Sequence, residues 1–120
     1  MIVVDTSVWI DHHHHGIAAL GDLLEAGVAL MHPFVLGEIA LGSLRDPGAF
    51  LGPARLLPTP LIADAGEVLN LIVNAGLGGS GIGYVDAHLL ASAMLVPGGA
   101  LWTHDKRLLA AATRLGLAFD

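Results

Sequence analysis

Apolar residues along the chain follow two rhythms. Short unbroken runs at Ile2 to Val4, Val28 to Met31, Ala100 to Thr103 and Leu117 to Phe119 have the length and branching of strands buried on both faces. Between them the spacing is helical. Ile17, Leu20, Leu23 and Leu24 predict a helix ending at Gly27, and Val35, Leu36, Ile39 and Leu44 predict one over 34–44, with Pro33 tolerated in its first turn. Val68, Leu69, Ile72 and Val73 form the buried face of a helix over 64–77, and further helices are predicted over 84–96 and 106–115. Four of the six prolines fall between Asp46 and Pro60, which leaves room only for a short helix over 49–57. Gly76 to Gly83 is a glycine loop. Strands alternating with helices predict one α/β domain over 1–120 with a parallel sheet.

In such sheets ligands bind outside the carboxyl ends of the strands. Asp5 follows the first strand and Asp105 follows the run from Ala100, so two acids are expected at one edge. Glu38 and Asp86 lie within helices otherwise rich in apolar residues. A buried carboxylate without a partner is costly and calls for a cation, a helix N-terminus or a hydrogen-bond network. Each acid also has a simpler role open to it. Asp86 suits the positive end of a helix dipole, Asp105 an N-cap, and Glu38 a solvated flank. Their joint placement favours chemistry. Four converging carboxylates need divalent cations among them, and ligation by oxygen alone selects Mg²⁺ or Mn²⁺. Such ions lower the pKa of bound water and stabilise the oxygens of a phosphodiester under attack.

Composition sharpens this picture. A chain of 120 residues can bury roughly two-thirds of its unfolded surface. The absence of cysteine excludes disulfide scaffolds, thiolate zinc sites and cysteine nucleophiles. Eleven acids against five Lys and Arg give a net charge of −6, which argues against nucleic acid as a partner. Two divalent ions at the acids would cancel about four of those charges; with so few bases, non-specific RNA affinity should still be weak. No apolar run reaches the ~18 residues of a membrane span, and Met1 to Asp5 carries no basic segment of a signal peptide, so a cytoplasmic protein is expected. With only 13% charged residues, apolar surface is left for a partner chain, identical or different.

Four segments carry a resemblance. IVVDTSVWI from Ile2, PFVLGEIALG around Glu38, GIGYVDAHLLASA from Gly81 and LWTHDKRLLAAATRLGLAF from Leu101 are similar, in order and spacing, to PIN-domain ribonucleases, specifically the VapC-type toxins of bacterial toxin–antitoxin pairs. The resemblance implies a three-layer α/β/α sandwich with a short, mainly parallel sheet, a homodimer, and Mg²⁺- or Mn²⁺-dependent endoribonuclease activity. It also implies inhibition by a cognate antitoxin wrapping the apolar helices. Asp5, Glu38, Asp86 and Asp105 match the family's acidic quartet. Asp5 and Asp86 would be the principal metal ligands, with Glu38 orienting water or binding a second ion and Asp105 completing the set. Thr6 or Ser7, and Thr103, would supply hydroxyls to the carboxylates, although each also suits a cap or turn.

Other features carry less. Gly76 to Gly81 matches the G-x-G-x-x-G pattern but follows a predicted helix rather than a strand, so it reads as a connection, and Ile82 breaks a G-x-S-x-G match at Ser80. His12, His13, His14 and His15 can bind a transition metal, but a solvated loop or helix end is the simpler reading. His88 and His104 sit beside two of the acids, where a structural hydrogen bond or an RNA contact is open to each. Lys106 and Arg107 are candidates for facing the RNA backbone, and Trp9 and Trp102 for core or interface positions. Two alternatives remain: a receiver-like phospho-acceptor domain, which lacks an acid after the second strand here, and a catalytically silent PIN-like binding module.

Overall fold

The computed structural model describes residues 1–120. Its sheet has three parallel strands, β1 (Ile2–Val4), β2 (Ala29–Leu30) and β3 (Ala100–Trp102), in the order β2-β1-β3. Ile2 pairs with Ala29 on one side and Ala100 on the other, so β1 is central and all three of its residues are buried. That position explains its unbroken Ile-Val-Val sequence. Seven helices surround the sheet: α1 (Thr6–His15), α2 (Ala18–Glu25), α3 (Pro33–Leu41), α4 (Pro47–Ala54), α5 (Ala65–Asn74), α6 (Tyr84–Leu95) and α7 (Lys106–Arg114). The α6 helix packs on β1 and β3, α5 packs on α6, and α1 contacts α3. One apolar core of 21 buried residues joins the sheet to α1–α4, α6 and α7, and a smaller cluster of Ala63, Val68, Ala87 and Ala91 seats α5 on α6. The architecture is the expected α/β sandwich. No helix is long and apolar enough to cross a membrane.

Two expectations change. The run Leu117 to Phe119 forms no strand of its own; Ala118 makes a single parallel bridge with Leu101, because the turn at Gly116 brings the chain beside β3 only there. Residues 6–15, in which the sequence pattern predicts no element beyond a helix end at the histidines, form the full helix α1. Only Val8 and Trp9 are buried along it, too little to register as an apolar stripe. The remaining helices and strands lie where the pattern puts them, with ends shifted by up to three residues. Trp9 is buried, with Nε1 donating to Val4 O at 3.1 Å, and Trp102 stacks with Phe119.

Candidate active site

The strand order reverses beside β1, and Asp5 stands at that point, just past the carboxyl end of the strand. Its amide donates to Trp102 O at 2.9 Å, carrying the pairing of β1 with β3 one residue further. Asp5 is the N-cap residue of α1, yet its side chain caps nothing. Instead Oδ2 accepts from Ser7 Oγ and from Thr103 Oγ1, each at 2.7 Å. Ser7 Oγ also accepts the His104 amide at 3.0 Å, and Thr103 Oγ1 accepts the Asp105 amide at 3.0 Å. Two hydroxyls therefore lock the β3–α7 connection to Asp5, whose side chain is buried.

The remaining three acids are held in the same way, by one oxygen each. Thr6 Oγ1 donates to Glu38 Oε1 at 2.8 Å, tying α1 to α3. The Gly83 amide donates to Asp86 Oδ2 at 3.0 Å in the first turn of α6. Asp105 is the N-cap of α7, its Oδ1 accepting from Leu108 N at 2.9 Å. The simpler readings thus hold as well, with Asp86 in the first turn of α6, Asp105 as an N-cap and Glu38 on an exposed flank of α3. In every member of the quartet the second oxygen takes no hydrogen bond from the chain. Asp86 is half-buried, whereas Glu38 and Asp105 are exposed.

Electrostatics links the four. Burial pushes the Asp86 carboxyl above the usual range; the Gly83 amide opposes that, and the charges of Asp5, Asp105 and Glu38 add to it. None of the four is in a salt bridge with Lys or Arg; the one His–carboxylate contact of the chain joins His104 Nδ1 and Asp11 Oδ2 at 2.5 Å. The charges of the other three reach Asp86, yet no three His, Asp or Glu side chains stand close enough to hold one ion as they are. The donor set nevertheless fits a hard divalent cation, because every donor is oxygen and each carboxylate keeps one oxygen unspent.

Thr103 offers a direct measure of this framework. Thr103→Val removes the donor to Asp5 and the acceptor of the Asp105 amide, both at a buried position, and should cost about 2 kcal/mol of stability. An unaltered denaturation midpoint would contradict it.

Several contacts lie beyond sequence reading. The Asp11–His104 pair joins α1 to the β3–α7 connection, and only the tertiary fold brings those positions together. His88 makes no hydrogen bond at its buried Nδ1 and instead packs against Phe34, with the rings tilted, and edge-on against Tyr84, with ring centroids 4.7 and 4.6 Å away. His12 Nδ1 accepts the Ile17 amide, closing the end of α1, and His13 packs edge-on against Phe50. The histidine tract is therefore a helix end, as the simpler reading had it.

A parallel sheet in the order 2-1-3 with a buried, hydroxyl-anchored carboxylate at its switch point defines a class of α/β domain, and comparison with protein families identifies it. The PIN domain matches residues 2–114, and the chain belongs to that family. It is of the VapC type: it is 46% identical over 119 residues to "Ribonuclease VapC32" of Mycobacterium tuberculosis, in both the CDC 1551 / Oshkosh and the H37Rv strains, covering 98% of this chain and 95% of the relative. Among solved structures, that of PAE2754 from Pyrobaculum aerophilum superimposes with a TM-score of 0.60 at 20% identity, over 92% of this chain and 78% of the other, which establishes likeness of fold. Family membership removes the receiver-like alternative.

Proposed function

We propose that residues 1–120 form a single PIN domain acting as a Mg²⁺- or Mn²⁺-dependent endoribonuclease, the toxin of a toxin–antitoxin pair in the cytoplasm. One observation carries the reading: four carboxylates without a cationic partner share one field at the switch point, each with an oxygen to spare. The ribonuclease name of the 46% identical relatives supports RNA as the substrate.

Asp5 and Asp86 are the principal ligands, with Glu38 and Asp105 completing the set. The ion, when bound, acts as a Lewis acid on water and on the scissile phosphate. Asp5 is pre-oriented by Ser7 and Thr103, which leaves only its free oxygen to turn inward. Glu38, steadied by Thr6 at Oε1, has Oε2 available to orient the attacking water or to take its proton. Burial of Asp5 limits the water that competes for its free oxygen.

The apolar surface supports partners. An antitoxin segment suits the 190 Å³ cavity bordered by Trp9, Leu24, Phe50 and Leu57. The exposed Leu69, Val73, Met94 and Leu95 on α5 and α6 suit a second copy of the chain.

Removing metal tests the catalytic reading. Purified protein should cut RNA in Mg²⁺ or Mn²⁺ and lose that activity in EDTA, recovering it when either ion is restored. Cleavage that proceeds equally in EDTA would overturn the metal mechanism, and no cleavage of total cellular RNA with either ion would overturn the nuclease reading.

A further inference from the structure

Of the five Lys and Arg in this acidic chain, three border one cavity. Lys106, Arg107 and Arg114 form its α7 wall, and the glycine loop from Gly76 to Ser80 forms the other; its volume is about 460 Å³. None of the three is in a salt bridge, although eleven acids are present. Arg107 lies close against the loop. A Cβ on Gly81, whose φ is +85°, would stand 2.7 Å from Arg107 Cδ and 2.9 Å from Nη1, so a side chain there would push the guanidinium aside, and glycine suits both the left-handed φ and the close approach. In the loop, the amides of Gly78 and Gly79 donate to no acceptor in the chain. Unpaired guanidinium groups beside free backbone amides make up the donor set that phosphate oxygens take.

We propose that this cavity is a phosphate-binding subsite for the RNA strand, with Arg107 and Arg114 as its anchors. The proposal rests on RNA being the substrate, as proposed above. Both walls of the cavity lead to the quartet: Asp105 immediately precedes Lys106, and the glycine loop ends at Gly83, whose amide holds Asp86. A strand bound at the carboxylates and continuing along these two segments would bring further phosphates to the cavity. An acidic peptide needs no such continuity, which is why RNA is favoured. The subsite also concentrates the scarce positive charge of the protein where the backbone must pass.

Binding measured without catalysis tests it. A fluorescein-labelled single-stranded RNA is titrated with the full chain in EDTA, by anisotropy, across a salt series. Arg107→Ala and Arg114→Ala should each weaken binding roughly tenfold and flatten the log–log salt slope by about 0.7. Arg45→Ala, outside the cavity, should leave both unchanged; circular dichroism and melting verify that all three variants fold. Unchanged affinity in both cavity variants, or an equal loss in Arg45→Ala, would overturn the subsite. So would polyglutamate bound at least as tightly as RNA with the same arginine dependence, or inorganic phosphate bound as tightly as the oligonucleotide. The two readings fail separately. Wild-type cleavage by Asp5→Asn, with binding still dependent on Arg114, would sink the catalytic assignment and leave the subsite; lost cleavage with arginine-independent binding would do the reverse.

Discussion

In EDTA, Asp86→Asn should melt at a higher temperature than wild type, and in Mg²⁺ it should cleave RNA at least about a hundredfold more slowly. The first expectation follows from the sign of a pKa shift. Burial raises the Asp86 carboxyl above its ordinary value, with Asp5, Asp105 and Glu38 adding to the effect. A carboxyl whose pKa is raised on folding is a cost to the fold once it ionises, so its charge opposes folding at neutral pH. Asparagine removes that charge and keeps an oxygen for the Gly83 amide. The second expectation follows from losing a ligand oxygen. Divalent ions should then separate the two proteins: by mass action Mg²⁺ or Mn²⁺ raises the melting temperature of wild type and raises that of the variant much less. A variant less stable than wild type in EDTA would refute the electrostatic argument, and equal metal-induced shifts would place the ion elsewhere.

The same residues show why part of this site is legible in sequence. Asp5 announces itself because a three-residue β-branched run can only be a buried strand, and an acid directly after it must stand at the sheet edge. Asp105 is legible for the same reason, and Asp86 because an acid in an otherwise apolar helix needs an explanation. Their convergence depends on strand order, which periodicity does not encode; with β1 between β2 and β3, Asp5 and Thr103 become neighbours. The role of Ser7 as a node joining Asp5, Thr103 and the His104 amide is invisible for the same reason. Helix α1 escaped the pattern because four consecutive histidines and an aspartate leave it no continuous apolar face. The basic cavity escaped it too. Arg114 lies seven positions from Arg107, about two turns along the same face of α7, but the glycine loop that completes the cavity joins it only through the packing of α5 and α6.

His32 should give the chain an acid-sensitive stability that the carboxylates do not explain. Its Nδ1 caps α3 by accepting the Phe34 amide at 3.0 Å, while Nε2 is fully buried and finds no acceptor, as do Nδ1 of His88 and Oγ of Ser92. An imidazolium there would have nowhere to direct its second proton. Burial, with the nearby His88 adding to it, lowers the His32 pKa from 6.5 to about 4. The unfolded chain binds a proton at this residue near pH 6.5, whereas the folded chain does so only near pH 4. Stability is therefore intact above pH 6.5 and falls as the pH drops towards 4, by about 3 kcal/mol in total. That is a large share of what a domain of this size has to lose. His32→Asn keeps a capping acceptor and removes the titration, so it should be less stable than wild type at pH 7 through lost packing but close much of that gap by pH 4. Denaturant unfolding at pH 7, 5.5 and 4 measures the gap directly. Wild-type and variant curves that run parallel across that range would show that His32 is not the group that titrates.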